Sequence, residues 1–168
     1  MITIRLATPA DVPLILALIR ELAEYERAPQ DAVATPELIH ESLFGRGVGN
    51  GGRGASAECV IGEIDGIAQG FALFFHNYST WKGRSGMYLE DLFVRPDARG
   101  AGLGKALLVH LAKIAVGRGC GRFEWAVLDW NTPAIEFYKS LGAQPMDEWT
   151  ISSVTGDALT KLANTPTV

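Results

Sequence analysis

The sequence predicts a single α/β domain, residues 1–168, in which helices flank a mixed central sheet. Along the sequence, segments with the alternating pattern of a strand are interspersed with segments whose apolar residues recur at helical spacing. The 168 residues are 48% apolar and 20% charged, an ordinary globular composition that argues against disorder. We find no linker, internal repeat or second composition regime, and a chain of this length needs no disulfide or metal to fold.

The first predicted elements follow from local signals. Ile2–Leu6 alternates polar and apolar residues, which indicates a strand. Thr8-Pro9-Ala10-Asp11 combines an N-cap, a proline at the first helical position and an acid in the first turn, so a helix is predicted to about Glu26. Thr35-Pro36-Glu37 repeats this signal and predicts a second helix over Pro36–Phe44.

A glycine-rich stretch and a hairpin come next. Gly45–Gly54 holds six glycines and predicts a surface loop; a phosphate cradle is the alternative, although no Gly-Lys-Ser/Thr follows. Asp65-Gly66 is a strong hairpin turn between strands over Glu58–Ile64 and Ile67–Phe75. The later predicted elements are a strand over Met87–Val94, a helix from Leu103 to Gly117, a strand over Phe123–Leu128, a helix over Pro133–Leu141 and a strand over Trp149–Val154.

Charge, hydropathy and cysteine usage exclude several classes of protein. The 15 basic and 19 acidic residues give a formal charge of −4, which argues against a nucleic-acid binder. No apolar run approaches the ~18 residues of a membrane helix, and we expect no signal peptide. Cys59 and Cys120 lack the spacing of a disulfide framework or a zinc site. We therefore expect a cytoplasmic protein with reduced thiols and no bound metal.

The glycine-rich turn at residues 99–105 is the first chemical signal. Glycines let several backbone N–H groups point into one concavity, and the following helix adds its unpaired N–H groups and the positive end of its dipole. Such a turn suits a pyrophosphate, whereas the alternative is a tight connection without a ligand. The glycine spacing differs from that of a Rossmann turn, and Ala106 after Lys105 excludes a P-loop.

Two motifs resemble those of the GNAT superfamily of N-acetyltransferases. Arg99-x-x-Gly102-x-Gly104 is similar to its Q/R-x-x-G-x-G/A signature, and Asn131–Gly142 is similar to its N-x-x-A-x-x-x-Y-x-x-x-G segment. The resemblance implies a mostly antiparallel sheet, acetyl-CoA as co-substrate, a turn that binds its pyrophosphate and a strand that binds its pantetheine. The implied cofactor-binding residues are Leu92, Phe93, Val94, Arg99, Gly100, Ala101, Gly102, Leu103, Gly104, Lys105, Asn131, Ala134 and Tyr138.

From Arg5 to Leu162 the chain also resembles the diamine acetyltransferase family, with Gly45–Gly54 as its clearest departure. One branch of that family acetylates spermidine and spermine, and the other prefers thialysine, a sulfur-containing lysine analogue. Residues 79–84 and Leu128 are similar to the thialysine branch. The polyamine branch carries an Asp where this chain has Ser79, so one anchor for a polycation is missing.

Acetyl transfer to an amine sets the requirements of the site. A lysine-type amine has a pKa of about 10.4 and attacks only when neutral, so the site must remove a proton and later protonate the departing thiolate. Glu90 and Asp91 interrupt an apolar strand, and the resemblance implies that Glu90 takes the proton through water at a strand bulge. It also implies direct attack, and Tyr138 is the candidate acid.

The resemblance places Tyr25 and Glu26 in the acceptor pocket. We expect Trp81 to cover the bound amine by a cation–π contact. Each of these assignments has a structural alternative. Glu26 could lie at a solvated helix end, and the two acids of the strand could be solvated at a sheet edge. Trp81 could be a partly buried loop aromatic, Tyr138 a core aromatic and Asn131 a plain N-cap. The expected substrate-binding residues are Tyr25, Glu26, Ser79, Trp81, Glu90, Asp91 and Leu128.

We therefore expect an acetyl-CoA-dependent N-acetyltransferase that acts on thialysine or a lysine-like amino acid. The alternatives are a spermidine/spermine N1-acetyltransferase, a protein-lysine acetyltransferase and a CoA-binding sensor without activity. The resemblance implies a homodimer with acceptor sites near the subunit boundary, and we expect neither nucleic acid nor membrane as a partner.

Overall fold

The computed structural model describes residues 1–45 and 54–166. The predicted loop Gly45–Gly54 therefore lies outside the described residues except at its two ends. The strands are β1 (Ile2–Leu6), β2 (Glu58–Ile64), β3 (Ile67–Ser79), β4 (Arg84–Val94) and β5 (Phe123–Trp125). The α-helices are α1 (Val12–Tyr25), α2 (Pro36–Phe44), α3 (Leu103–Gly117), α4 (Thr132–Ser140) and α5 (Gly156–Ala163).

The strands form one sheet in the order β1-β2-β3-β4-β5. All neighbours pair antiparallel except β4 and β5, which are parallel, so the expectation of a mixed, mostly antiparallel sheet is confirmed. Asp65 and Gly66 both have positive φ, 51° and 78°, as the predicted two-residue hairpin turn between β2 and β3 requires.

Helices pack on both faces of this sheet. On one face Ile61 and Phe71, from neighbouring strands, form a buried cluster with Ile15 of α1. On the other face Gly62 lies against α3, where a Cβ would meet Leu103 and Leu107. Alternate residues of one strand therefore serve two different layers, as the period of two in a β-strand dictates.

Hydrogen bonds and an ion pair around Asp11 fix the start of α1. The capping signal in the sequence predicted the contact with Thr8 but not the one with Arg5. The Asp11 carboxylate accepts hydrogen bonds from the Thr8 backbone N–H at 2.8 Å and from both Nη atoms of Arg5 at 2.8 Å. These partners hold the pKa of Asp11 well below its ordinary range. The helix is preceded by one turn of 3-10 helix at Pro9–Asp11 and ends at Tyr25, one residue before the predicted end.

The described chain divides into two compact units, residues 1–126 and residues 127–168. The first contains the whole sheet with α1, α2 and α3, and the second contains α4 and α5. The prediction of one domain over residues 1–168 stays a prediction.

Two predicted elements differ in the structure. The predicted strand Phe123–Leu128 ends at Trp125 because β5 pairs with β4 only as far as Leu89, where β4 becomes irregular. The predicted strand Trp149–Val154 is wrong: within the described residues this segment pairs with no strand, and Ile151 is 79% exposed. An alternating pattern specifies a strand only where a neighbouring strand accepts its hydrogen bonds.

The helix α5 follows this segment and was not predicted. Its start signal is present in the sequence as Thr155 at the N-cap position and Asp157 in the first turn. Leu159 and Leu162 then share one face at a spacing of three residues, but both are exposed. A helix of 8 residues gives too few repeats for periodicity alone to identify it.

Candidate active site

A β-bulge in β4 lies at the centre of the candidate site. Leu73 of β3 pairs with Asp91, but the next residue, Phe74, pairs with Leu89, so Glu90 is an extra residue with no partner in β3. The bulge expected from the sequence is therefore present, and it falls on Glu90. Such a residue breaks the ladder locally and turns the strand away from its neighbour.

The bulge leaves two adjacent carboxyl groups in different surroundings. Glu90 is exposed, whereas Asp91 is half-buried. Burial, and after it the negative charges of Glu90 and Glu26, raise the pKa of Asp91 to about 6. Burial also raises the pKa of Glu26 above its ordinary value. The structure thus brings Glu26, Glu90 and Asp91 into one cluster of mutual repulsion, which a bound cation would relieve.

The end of α1 places Tyr25 and Glu26 beside this cluster. The helix closes with the two backbone hydrogen bonds of a Schellman motif, Ala28 N–H to Ala23 O at 2.9 Å and Arg27 N–H to Glu24 O at 3.1 Å. Arg27 occupies the left-handed position with φ of 64°, where glycine is usual. This turn ends the helix at Tyr25, with Glu26 as the C-cap, and leaves the Glu26 carboxyl group half-buried.

Beyond the bulge β4 has an open edge. Within the described residues β5 pairs with β4 no further than Leu89, so beyond Leu89 a strand pairs with β4 on the β3 side alone. The Arg95 amide bonds to Gln69 of β3, and the Phe93 carbonyl faces Gly70 of β3. By the alternation of an antiparallel ladder, the backbone groups of Leu92 and Val94 point away from β3.

Of the three predicted pantetheine contacts, the geometry therefore favours Leu92 and Val94. The Phe93 carbonyl is turned toward β3, and the Phe93 side chain is buried. The outward-facing backbone groups of Leu92 and Val94 are of the kind that pair with an extended amide-containing chain such as a pantetheine arm, and of these the Val94 carbonyl accepts a hydrogen bond from Arg99 Nε.

The glycine turn follows at the end of this edge. Gly100 and Gly102 have φ of 81° and 91°, a left-handed conformation that other residues rarely adopt. A Cβ at Gly100 would meet no atom of the described residues within 4 Å, so backbone conformation rather than space requires glycine there. α3 begins at Leu103 with Gly102 as its N-cap, and the N–H groups in the first turn of a helix are of the kind that bind anions.

Within this turn the predicted residues contribute in different ways. The Leu103 side chain is buried in the core, so only its backbone is available to a phosphate. Ala101, Gly104 and Lys105 lie in the turn or in the first helical turn, and the Lys105 side chain is exposed.

The Arg99 side chain points to the end of α1. Its guanidinium carbon lies 4.5 Å from the centre of the Tyr25 ring and 5.9 Å from that of Phe93. Its Nε donates a hydrogen bond of 3.0 Å to the Val94 carbonyl, at the open edge of β4. Arg99 therefore connects the glycine turn to the residues predicted to bind the acceptor.

Ser79 and Trp81 lie away from the carboxyl cluster. They belong to the β3–β4 connection, where Ser79 pairs with Arg84, and Arg84 is six residues before Glu90. At about 3.3 Å per residue this is a separation of about 20 Å. Ser79 is buried, and its Oγ accepts the Lys82 N–H at 3.3 Å, whereas Trp81 is 90% exposed. One copy of the chain does not bring these residues to Glu90.

The remaining predicted residues belong to the second unit. The Asn131 side chain accepts a hydrogen bond from the Ala134 N–H at 3.4 Å, which makes it the N-cap of α4. Tyr138 lies two turns later on the same helix, with its ring centre 5.4 Å from that of Phe137. Leu128 is 40% exposed. The capping role predicted for Asn131 is thus confirmed.

Several other chemistries have no support in the described residues. No group of three or more His, Cys, Asp or Glu side chains there is arranged to hold a metal ion. Burial raises the pKa of the Cys59 thiol to about 12, so it is not a thiolate at neutral pH. No helix in the described part of the chain has the length and apolar character to cross a membrane.

Sequence reasoning missed two features of the site. It identified the two acids of β4 but not that Asp91 is the one whose charge is buried without a cation beside it. The β-bulge at Glu90 determines which of the two carboxyl groups is buried. Sequence reasoning also assigned Arg99 to the phosphates and gave no reason to expect its guanidinium over Tyr25. No local signal reports a contact between residues so far apart in the sequence.

Comparison with known proteins gives consistent matches. The model of the Acetyltransferase (GNAT) family matches residues 17–143. Thialysine N-epsilon-acetyltransferase of Bos taurus is 39% identical, over 96% of this chain and 97% of that protein. L-ornithine N5-acetyltransferase of Arabidopsis thaliana is 35% identical, over 93% and 85%. An integron cassette protein from the V. cholerae mobile metagenome superposes with a TM-score of 0.79 at 27% identity, over 98% of both chains.

Proposed function

The chain belongs to the GNAT acetyltransferase family and is an N-acetyltransferase, and on this premise we propose that its acceptor is a small lysine-like amino acid such as thialysine. The acetyl group goes from acetyl-CoA to the terminal primary amine. The observation that carries the proposal is the carboxyl cluster of Glu26, Glu90 and Asp91 beside the open edge of β4. Such a cluster attracts an ammonium group and can then take its proton.

Acetyl-CoA binds along the open edge and the glycine turn in this proposal. The backbone N–H groups of residues 100–105 hold the pyrophosphate, helped by the positive end of α3. Leu92 and Val94 pair with the amides of the pantetheine arm. The family motif adds Asn131 and Ala134 as pantetheine contacts in this proposal, which is compatible with the capping role of Asn131 because its amide group has further hydrogen-bonding capacity.

The chemistry requires one base and one acid. The acceptor ammonium binds at the carboxyl cluster, and Glu90, the exposed member, removes its proton through water. The neutral amine attacks the thioester carbonyl carbon, so that a C–N bond forms as the C–S bond breaks. Tyr138 donates its phenolic proton to the departing thiolate, and the acylated nitrogen releases a proton that restores the Tyr138 phenol. No covalent enzyme intermediate is needed, which fits the un-ionised Cys59.

The choice of acceptor rests on two supports. The curated relatives are named for thialysine and for L-ornithine, both amino acids with a terminal amine. This chain also has Ser79 where the polyamine branch has an acid, so it lacks a carboxylate anchor for a distal ammonium. Leu128 is a further apolar contact in this proposal.

We also propose that the protein is a cytoplasmic homodimer. Ser79 and Trp81 lie about 20 Å along the strand from Glu90 and therefore act in the partner's acceptor site. The second unit offers apolar surface for such an interface: Trp149 is 68% exposed and Ile151 is 79% exposed. Light scattering over a concentration series tests this state, and a strictly monomeric protein would contradict it.

An acceptor panel tests the function. Release of the CoA thiol from acetyl-CoA is followed with thialysine, lysine, ornithine, putrescine, spermidine, spermine and a lysine peptide. We expect the highest kcat/KM among the three amino acids, and loss of the signal in Glu90→Gln but not in the exposed-acid control Asp97→Asn. Preference for spermidine or spermine would refute the acceptor class. CoA binding without release for any amine would refute the enzymatic role in favour of a sensor.

A further inference from the structure

A lysine-like acceptor has two charged groups at the end opposite its reacting amine. If the proposed function holds, the site receives an α-ammonium and an α-carboxylate there, whereas a diamine brings an ammonium alone. The carboxyl groups of Glu26, Glu90 and Asp91 suit the reacting amine, but they repel a carboxylate. The other end of the acceptor therefore requires a surface that offers a cation and an anion together.

One face of the sheet leads away from the carboxyl cluster. Leu73, which pairs with Asp91, packs against the buried cluster around Ile15 of α1, so both residues belong to the α1 face of the sheet. Because side chains alternate along a strand, every second residue of β3 continues this face beyond the bulge. With their partners in β4 and β5, the residues of this face are Phe75, Asn77, Gly86, Tyr88 and Glu124.

An ion pair lies on this face, at the end nearer the β3–β4 connection. Arg122 precedes β5, and its Nε lies 3.0 Å from Glu124 Oε2. Arg122 Nη2 also donates a hydrogen bond of 3.1 Å to the Tyr78 carbonyl, and Asn77 Nδ2 donates one of 3.1 Å to Glu124 Oε2. A Cβ at Gly86 would collide with Asn77 and Arg122, so glycine leaves room for the pair there. These contacts hold a cation and an anion side by side on the sheet.

We propose that Arg122 and Glu124 bind the α-carbon end of the acceptor, the guanidinium contacting its α-carboxylate and the carboxylate its α-ammonium. A guanidinium has five N–H donors, and the two contacts above leave donors on both Nη atoms for a ligand. The Arg122 side chain is 34% exposed and that of Glu124 26%, so both are open to a ligand within the described part of the chain. The pair has no net charge, which suits a zwitterion, whereas Arg122 repels the lone distal ammonium of a diamine.

Two aromatic rings lie between this ion pair and the carboxyl cluster. The ring centres of Phe75 and Tyr88 are 5.2 Å apart, and both residues belong to the α1 face. Burial raises the pKa of Tyr88, and the negative charges of Glu90 and Glu124 raise it further, so its hydroxyl group is close to both ends of the proposed path. The rings offer an apolar surface for the methylene groups of lysine or the thioether of thialysine.

The separation of the two ends suits an extended amino acid. Gly86, beside Arg122, lies four residues before Glu90, which corresponds to about 13 Å along β4. An extended lysine measures about 8 Å from Nζ to its carboxylate oxygens, at about 1.2 Å per bond, and a hydrogen bond of about 2.8 Å at each end brings this to about 14 Å. Arg84, two residues before Gly86, lies about 20 Å from Glu90 and is too far. This path leaves the edge of β4 beyond Leu89 to the pantetheine arm.

The competing role of the ion pair is a purely structural one, in which it fastens β5 to β3. A structural pair affects every acceptor equally, whereas a recognition pair acts only on acceptors that have the matching charge. Arg118 and Glu58 form a comparable pair, with Nη2 to Oε2 at 2.8 Å, on the other face of the sheet beside the Phe74 ring. Arg118 therefore provides the matched control.

The test measures kcat/KM for lysine, for lysinamide, which lacks the carboxylate, for cadaverine, which has a distal ammonium alone, and for pentylamine, which has neither group. In Arg122→Gln the lysine-to-lysinamide ratio should fall about 10- to 100-fold, the range for losing a hydrogen bond between charged groups. Arg122→Lys should restore part of this ratio, since it keeps the charge without the fork. In Glu124→Gln the cadaverine-to-pentylamine ratio should fall about 10-fold. Arg118→Gln should leave both ratios unchanged.

Thermal unfolding accompanies each variant. Equal loss for all four acceptors together with a lower Tm would overturn the proposal in favour of a structural ion pair, and unchanged ratios in Arg122→Gln would overturn it as well. If Arg122→Gln does not fold, Arg122→Lys decides, and a lysine-to-lysinamide ratio equal to that of the wild-type protein would contradict the proposal. Preference of the wild-type protein for cadaverine over lysine would instead refute the proposed function itself.

Discussion

Replacing Asp91 by Asn should stabilise the protein at alkaline pH while it weakens catalysis. The pKa of this half-buried carboxyl group lies at about 6 instead of its ordinary value of 3.8. The cause is first burial and then repulsion from Glu90 and Glu26. Because each pH unit corresponds to 1.36 kcal/mol, ionising Asp91 costs the folded state about 3 kcal/mol.

The sign of the effect follows from the raised pKa. Below about pH 4 the carboxyl group is protonated in both the folded and the unfolded state and costs nothing. Between about pH 4 and pH 6 the unfolded state has lost the proton while the folded state keeps it, so the wild-type free energy of unfolding falls by about 3 kcal/mol over this range. Asp91→Asn carries no charge, so its advantage grows from near zero at pH 4 to that value at pH 8.

Thermal unfolding at pH 4, 6 and 8 measures this difference. For a chain of this size about 3 kcal/mol corresponds to a rise in Tm of about 6–12 °C at pH 8. Asp97→Asn, an exposed acid just beyond β4, should show no pH-dependent gain. A gain for Asp91→Asn that is equal at pH 4 and pH 8, or a loss at pH 8, would refute the reasoning. Stability gained as activity falls is the expected signature of a strained functional group.

Three further variants test the proposed chemistry. Glu90→Gln should lower kcat about 100- to 10,000-fold, the usual contribution of a general base, and a kcat with the wild-type pH–rate profile would remove Glu90 from this role. Tyr138→Phe should slow turnover about 100-fold while the Kd of acetyl-CoA stays constant, and unchanged turnover would contradict the acid role. Gly102→Ala forces a Cβ into φ of 91°, which costs about 1–2 kcal/mol and should raise the KM for acetyl-CoA. Its matched control, Gly117→Ala at the open end of α3, should show neither effect.

The elements with strong local signals could be predicted from the sequence. The helix over Pro36–Phe44 and the turn at Asp65-Gly66 appear as expected because caps and turn residues act within four residues of themselves. The segment Trp149–Val154 could not be predicted in this way, since a strand is defined by the neighbour that pairs with it. The helix at Gly156–Ala163 was too short for its pattern to stand out.

The candidate site also combines features that local sequence signals predict with features that depend on tertiary contacts. Its glycine turn and the Asn131 cap are local features, and both could be read from motifs. The burial of Asp91 depends instead on a bulge that forms only when β4 pairs with β3. The place of Ser79 depends on how far the hairpin extends beyond that bulge, so its resemblance to a family motif did not reveal its distance from Glu90.

The fold class, the order of most elements, the glycine turn before α3 and the acetyltransferase function could all be predicted from the sequence. These depend on backbone conformations and residue types that short segments specify on their own. Three properties of the site depend on the packed structure: which carboxyl group is left uncompensated, which backbone groups of β4 face away from β3, and where the Arg99 guanidinium lies. Those properties arise from desolvation and from contacts between residues distant in the chain, and both exist only once the sheet and helices have packed.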